Sequence, residues 1–200
     1  MFLGKYKLML GSDCKLIYGT ADYHRKRLKV LESERYIRRV NRLYIKLDDK
    51  GTRLVKEFGY DYSYKCRRKE YVDRLNEIAK VAALTLDSNI DFIASWNIKD
   101  DDIFTEQSRK YLGKMIFQEK EFIVYYIANG KRKPYVSQIL NDIRKLVSYK
   151  NIMIFVEDFN LIKAKRNFVF GNDSTVIINP IPENFNLMRR YEDIDFYEII

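Results

Sequence analysis

The chain has 200 residues, room for one domain or two small ones, and 46% hydrophobic residues with 14% aromatics exclude a disordered polymer. Its formal net charge of +9 is unevenly placed: residues 1–69 hold 19 Lys and Arg against 8 Asp and Glu, and residues 70–200 hold 18 against 20. Such asymmetry points to a polyanion-binding module joined to a neutral domain.

Residues 2–10 place Leu3, Tyr6, Leu8 and Leu10 in a pattern that fits a short helix or a strand equally. Gly11-Ser12-Asp13 breaks the run. Ser12 or Asp13 can cap a short helix over residues 13–18, with Leu16 and Ile17 inward. Gly19 suits a turn or a helix end, and Thr20 suits the N-cap of the next helix, over residues 21–34. There Leu28 and Leu31 share a face, and Tyr23 or Arg27 extends that face one turn back. Arg25, Lys26 and Lys29 fall on other faces, near the front of the helix. The single histidine, His24, reads as a polar surface or DNA-facing residue, because zinc sites need three or four clustered ligands. A solvated basic face accounts for this helix as well as a ligand-binding one does.

Residues 36–40 and 43–47 alternate apolar and polar in part, as strands do, with Asn41-Arg42 as a two-residue turn. Asp48 is placed to cap a helix containing Leu54, Val55 and Phe58, which Gly59 ends. Here the residues Arg27-Leu28-Lys29-x-Leu31, then Tyr36-Ile37-Arg38-Arg39, then Tyr44-Ile45-x-Leu47-x-x-x-Gly51 resemble a winged helix-turn-helix signature. The pattern is similar to that of the plasmid replication-relaxation family, in which a winged helix precedes a second α/β domain. It covers residues 15–59. Arg35 stands where a glycine is usual, and Asp48 where a threonine is usual. The resemblance implies a recognition helix carrying Tyr23, His24, Arg25, Lys26 and Lys29, and a wing carrying Arg38, Arg39 and Arg42. The implied ligand is double-stranded DNA, with Arg able to fork onto guanine and Lys supplying mainly phosphate affinity.

Residues 60–69, YDYSYKCRRK, interleave aromatics with cations. Such a segment can stack on bases and bind phosphates, or can be a linker whose tyrosines pack at a junction. Residues 70–86 predict a helix with Tyr71, Leu75, Ile78, Ala82 and Leu86 on one stripe and Val81 beside it. These features divide the chain into a winged helix at 1–60, a linker at 61–69 and an α/β domain at 70–200. Within the latter, strands are expected at 91–96, 112–117, 122–128, 151–156 and 174–179, with a helix at 135–149. The apolar run 151–156 suits a buried sheet position.

The order of hairpin, helix and buried strand resembles the core of restriction-endonuclease-like nucleases. That chemistry needs two carboxylates on adjacent strand ends to hold a divalent metal, with a Lys two residues after the second. Residues 122–127 contain neither acid nor Lys. Glu119-Lys120 reads as a hairpin turn, and Asp100, Asp101, Asp102 and Glu106 as a solvated acidic loop. Glu157 and Asp158 follow a buried strand, a good position for a carboxylate but not by itself a site. A degenerate, non-enzymatic core without metal or cofactor is therefore expected.

Cys14 and Cys66 lack metal-ligand spacing, and no apolar run approaches about 18 residues, so a reduced cytoplasmic protein without membrane association is expected. The fold class expected is α+β, a winged helix-turn-helix followed by a small α/β domain. The function expected is that of a duplex DNA-binding accessory protein of a plasmid or other mobile element, in replication, conjugative transfer or local regulation. Its partners would be double-stranded DNA, a second copy of the chain in a homodimer, and a replication or transfer protein. The alternatives are a metal-dependent DNA nuclease targeted by the winged helix, a transcriptional repressor, and an adaptor whose basic face meets an acidic protein.

Overall fold

The computed structural model describes residues 1–19, 21–64, 68–86, 90–98, 110–117, 119–130, 133–146, 150–158, 176–180 and 197–199. The chain forms two compact units, Met1–Leu86 and Asp87–Ile200, and helices and strands are mixed in both, so the fold class is α+β.

In the first unit, the ambiguous opening segment is both things in turn. Helix α1 spans Phe2–Tyr6 and strand β1 spans Leu8–Leu10. Lys7 separates them at φ 67, and its N–H closes the helix on the Leu3 carbonyl at 2.8 Å. Then come α2 (Lys15–Tyr18), α3 (Ala21–Ser33), β2 (Ile37–Val40), β3 (Tyr44–Leu47), α4 (Asp49–Glu57) and α5 (Lys69–Leu84). The strands form an antiparallel sheet in the order β1-β3-β2. Leu8, Met9, Leu16, Leu28, Ile37, Ile45, Leu47 and Val55 are buried, each contributing about 1.5–3 kcal/mol by leaving water. Thr20, the expected cap of α3, lies outside the described residues.

Helix α4 starts and ends by different means. Asp48 precedes it in extended conformation, but its side chain makes no capping hydrogen bond, contrary to expectation. Its N–H donates instead to the Tyr36 carbonyl at 3.0 Å, tying the end of β3 to the start of β2. The first turn of the helix presses on that same carbonyl. A Cβ on Gly51 would lie 2.0 Å from the Tyr36 oxygen, so only glycine fits. At the other end Gly59, at φ 82, donates to Lys56, and Tyr60 donates to Val55, closing the helix with a left-handed cap.

Helix α5 packs on β1 and touches α1 and α2, so it belongs to the first unit rather than opening the second. The division of the chain therefore falls at Leu86, not between residues 60 and 70. Polar bonds explain the attachment. Asn76 Oδ1 accepts the Leu10 N–H on the outer edge of β1, and Tyr44 Oη donates to Asp73 at 3.0 Å. Pairing an edge-strand N–H in this way also blunts the sheet edge. Leu75, Ile78, Ala82 and Val81 are buried as expected, with Val72 and Ala79 alongside; Tyr71 and Leu86, also expected on the stripe, are exposed at its ends.

The second unit carries strands β4 (Asp91–Ala94), β5 (Gly113–Phe117), β6 (Lys120–Ile127), β7 (Asn151–Val156), β8 (Val176–Pro180) and β9 (Tyr197–Ile199). Among the described residues they form one sheet in sequence order. β4, β5 and β6 are successively antiparallel, β6, β7 and β8 are parallel, and β9 returns antiparallel. Helix α6 (Lys133–Leu146) makes the crossover from β6 to β7, as a parallel pair requires. Its Val136, Ile139, Leu140, Ile143 and Leu146 pack on Ile123, Tyr125, Ile127, Ile152, Ile154 and Val156. Phe122, Val124, Met153 and Phe155, on the other face of those strands, are buried as well.

Two substitutions probe the first unit in opposite directions. Gly51→Ala should lower stability by about 1–3 kcal/mol, because its methyl meets rigid backbone rather than a movable side chain. Arg35 lies at φ 62, where a side chain is strained, and its ion pair with Asp49 is exposed. Arg35→Gly should therefore raise stability by about 0.5–1 kcal/mol. Urea unfolding midpoints measure both.

Candidate nucleic-acid interface

The unit Met1–Leu86 carries 21 Lys and Arg against 11 Asp and Glu, and its free cations concentrate on α3. This helix turns His24 and Leu28 inward, with Leu31 half-buried behind them. His24 is 6% exposed, so the expectation that it faces DNA is corrected. The residue that extends the Leu28 face one turn back is His24, at the i−4 position, and not Tyr23 or Arg27. Tyr23 is 59% exposed, and Arg27 is exposed as well. Arg25, Lys26, Arg27 and Lys29 thus all reach solvent, and none has an ion-pair partner among the described residues. Arg25 and Lys29 are four apart and Lys26 and Lys29 three apart, so these three form one patch, and Arg27 stands on the other flank. Val30, 44% exposed, lies beside Lys26 and Tyr23 on the flank of that patch. Arg27 is the residue that sequence periodicity missed. Leu28 and Leu31 together point back to position 24, but the polar imidazole there does not read as an inward residue.

The hairpin divides its arginines between two faces. Arg39 lies opposite the fully buried Ile45, and Arg38 lies opposite Lys46. Successive residues of a strand point to opposite sides, so Arg38 and Arg39 do not share a surface. Arg39 is on the α3 side, where its Nε sits 3.2 Å from Glu32 Oε2 on that helix. Arg38 Nε is 3.8 Å from Asp48 Oδ1. Both contacts are open to solvent and contribute about 0–1 kcal/mol each, enough to orient the guanidinium groups and little more. At the tip, Asn41 and Arg42 take left-handed φ values of 49 and 60, and Leu43 N–H donates to the Val40 carbonyl at 3.3 Å. Pairing resumes at Tyr44, so the loop holds Leu43 as well as the expected two residues. Leu43 is 61% exposed. Arg42 is exposed and has no ion-pair partner among the described residues.

The aromatic segment after α4 is partly structural. Tyr62 is buried; its hydroxyl accepts the Leu47 N–H at 3.2 Å and donates to the Lys7 carbonyl at 3.1 Å. Burial pushes the phenol up to about 12. Tyr64 lies under Lys46, whose Nζ is 4.6 Å from the ring centroid. Residues 65–67 lie outside the described residues. Cys14 is a free, buried thiol pushed up to about 12 by burial and then by Asp13, which makes it a poor nucleophile.

In the second unit, Glu157 accepts hydrogen bonds from Tyr126 Oη and from the Asn129 N–H, the latter at 2.7 Å. It braces the turn that follows β6. Glu119 sits at φ 64 between β5 and β6, in agreement with a hairpin turn. Asp100, Asp101, Asp102 and Glu106 lie outside the described residues. Among the described residues, no group of three or more His, Cys, Asp and Glu could hold a metal ion, and no helix is long and apolar enough to cross a membrane.

Tyr62→Phe should cost about 1–3 kcal/mol, because it leaves a buried N–H and a carbonyl of the β3 and α1 ends without their shared partner. Thermal unfolding of the variant checks this, and an unchanged midpoint would return Tyr62 to the linker. The chain matches no protein-family model, no curated protein and no solved structure.

Proposed function

We propose that the first unit is a winged-helix module that binds duplex DNA, with α3 as recognition helix and the β2–β3 hairpin as wing. The element order α1-β1-α2-α3-β2-β3, with β1 paired to β3, supports the winged-helix reading. The observation that carries the ligand is the solvent face of α3. Three cations, Arg25, Lys26 and Lys29, stand there without carboxylate partners among the described residues, on a helix anchored by His24 and Leu28, with Arg27 exposed on the other flank. A helix of that kind places Arg forks and Lys charges into a major groove, and the flanking Tyr23 and Val30 can meet apolar base edges such as thymine methyls. Arg39, oriented by Glu32, and Arg42, at the tip, extend the same contact. His24 takes no part, and Arg38 lies on the other face of β2. In keeping with the family resemblance, the biological setting proposed is a plasmid or other mobile element. The second unit, with Glu157 committed to a structural turn, is assigned to contact with a partner protein or a second copy.

Replacing Arg25, Lys26 and Lys29 together with Ala should weaken duplex binding at least about tenfold and lower the log K against log salt slope by about 2–3. Surface substitutions of this kind shift stability by no more than about 0.5 kcal/mol each, so the fold should persist. Fluorescence anisotropy across a salt series reads both quantities. Equal affinity and equal slope for parent and variant would remove α3 from the interface.

A further inference from the structure

We infer that the outer face of the β2–β3 hairpin, where Arg38, Lys46 and Tyr64 meet, is a second phosphate-binding surface that holds a nucleic-acid strand other than the one on α3. The sheet register carries the argument. Arg38 and Lys46 are directly opposed cross-strand neighbours. Like charges in that position destabilise a hairpin, and a carboxylate opposite either cation would stabilise it instead. Asp48 is near, 3.8 Å from Arg38 Nε, but one carboxylate leaves the cluster of two cations with net positive charge. Lys46 is held in place, its ammonium 4.6 Å above the Tyr64 ring. Burial first, and the Arg38 charge second, pull its affinity for a proton below the usual lysine range. The cluster therefore carries net positive charge, which an added anionic oxygen would neutralise. Arg38, with its side chain 58% exposed, is free to supply a guanidinium fork, and Lys46 a fixed point charge beside it.

The chemistry fits a phosphodiester backbone. Arg forks bind phosphate oxygens in pairs, and aromatic side chains next to cations suit strands whose bases are unstacked. Tyr64, half-buried, borders this cluster with its ring against Lys46, whereas Tyr62 is committed to the interior. The surface is distinct from α3 because Arg38 and Arg39 face opposite sides of one strand, and only Arg39 is tied to that helix. A protein with both surfaces can hold two nucleic-acid segments together, either a duplex and a single strand or two duplexes. This inference rests on the duplex-binding reading only in naming what the first surface holds.

The experiment uses the full chain in four forms. They are the parent, Arg25/Lys26/Lys29→Ala, Arg38→Gln with Lys46→Met, and the combination. Methionine keeps a stem of similar length over Tyr64, so the fold is retained, and removing the like-charge pair should leave Tm unchanged or higher. The probes are a labelled single strand of about 12 nucleotides and a labelled duplex about two helical turns long. Arg38→Gln with Lys46→Met should weaken single-strand binding roughly tenfold while duplex binding by the parent α3 surface stays within about twofold. If instead the α3 variant retains duplex binding that the combination then loses, the second segment is a duplex. If the α3 substitutions leave duplex affinity intact, the reading of α3 fails, and a loss on Arg38→Gln with Lys46→Met still supports the second surface. Equal affinity of parent and Arg38→Gln/Lys46→Met for both probes, in both α3 backgrounds, would overturn it.

Discussion

The Tyr36 carbonyl organises the first unit. It accepts the Asp48 N–H, which closes the hairpin at its base, and it receives the first turn of α4 against it through the bare Cα of Gly51. Strand β2, strand β3 and helix α4 are thereby fixed at one point by a hydrogen bond and a contact that no side chain can enter. From there Val55 of α4 reaches the α1 helix at Gly4, and Tyr62 stitches the end of β3 to the residue that ends α1. The cationic helix α3 is held by the burial of His24 and Leu28 and by the Glu32–Arg39 contact. Its exposed face is consequently presented on a rigid base, which is what a surface needs if charges are to meet a regular polyanion in register.

Charge in this unit is arranged rather than merely abundant. The cations of α3 lack carboxylate partners among the described residues, whereas Arg35, Arg38 and Arg39 each lie near one. Exposed pairs of that kind barely stabilise, so their effect is to set where a guanidinium points. Two arginines, Arg35 and Arg42, also occupy left-handed backbone where glycine would be relaxed. A strained residue that persists on a surface is a reason to look for what its side chain does. At Arg42 the side chain stands exposed at the tip of the hairpin.

The second unit shows the opposite economy. Its parallel strands β6 and β7 are buried on both faces and α6 covers one of them, leaving few polar groups inside. Where a carboxylate does appear at a strand end, as Glu157, it is consumed by Tyr126 and Asn129. A carboxylate already accepting two hydrogen bonds is a brace for its turn, and the position after a buried strand that suggested chemistry turns out to serve geometry.

Local pattern was legible wherever a segment had enough repeats or a strong terminator. The apolar run of β7, the hairpin around Asn41-Arg42, the glycine end of α4 and the excess of positive charge in the first third all read directly from residues. Phase and ownership did not. His24 lies on the face that Leu28 and Leu31 define, four and seven residues back, yet a histidine there reads as a polar surface residue, and only packing against the unit shows it buried. Helix α5 joined the first unit because Asn76 and Asp73 found Leu10 and Tyr44, partners more than 25 residues away. Arg38 and Arg39 were adjacent letters with one charge, yet strand register sent them to opposite faces. Sequence determined which elements form and where the charge lies, since those follow from neighbours along the chain. Tertiary structure decided which charges share a surface, since that depends on register and helix rotation, quantities set by contacts between segments that are distant in sequence.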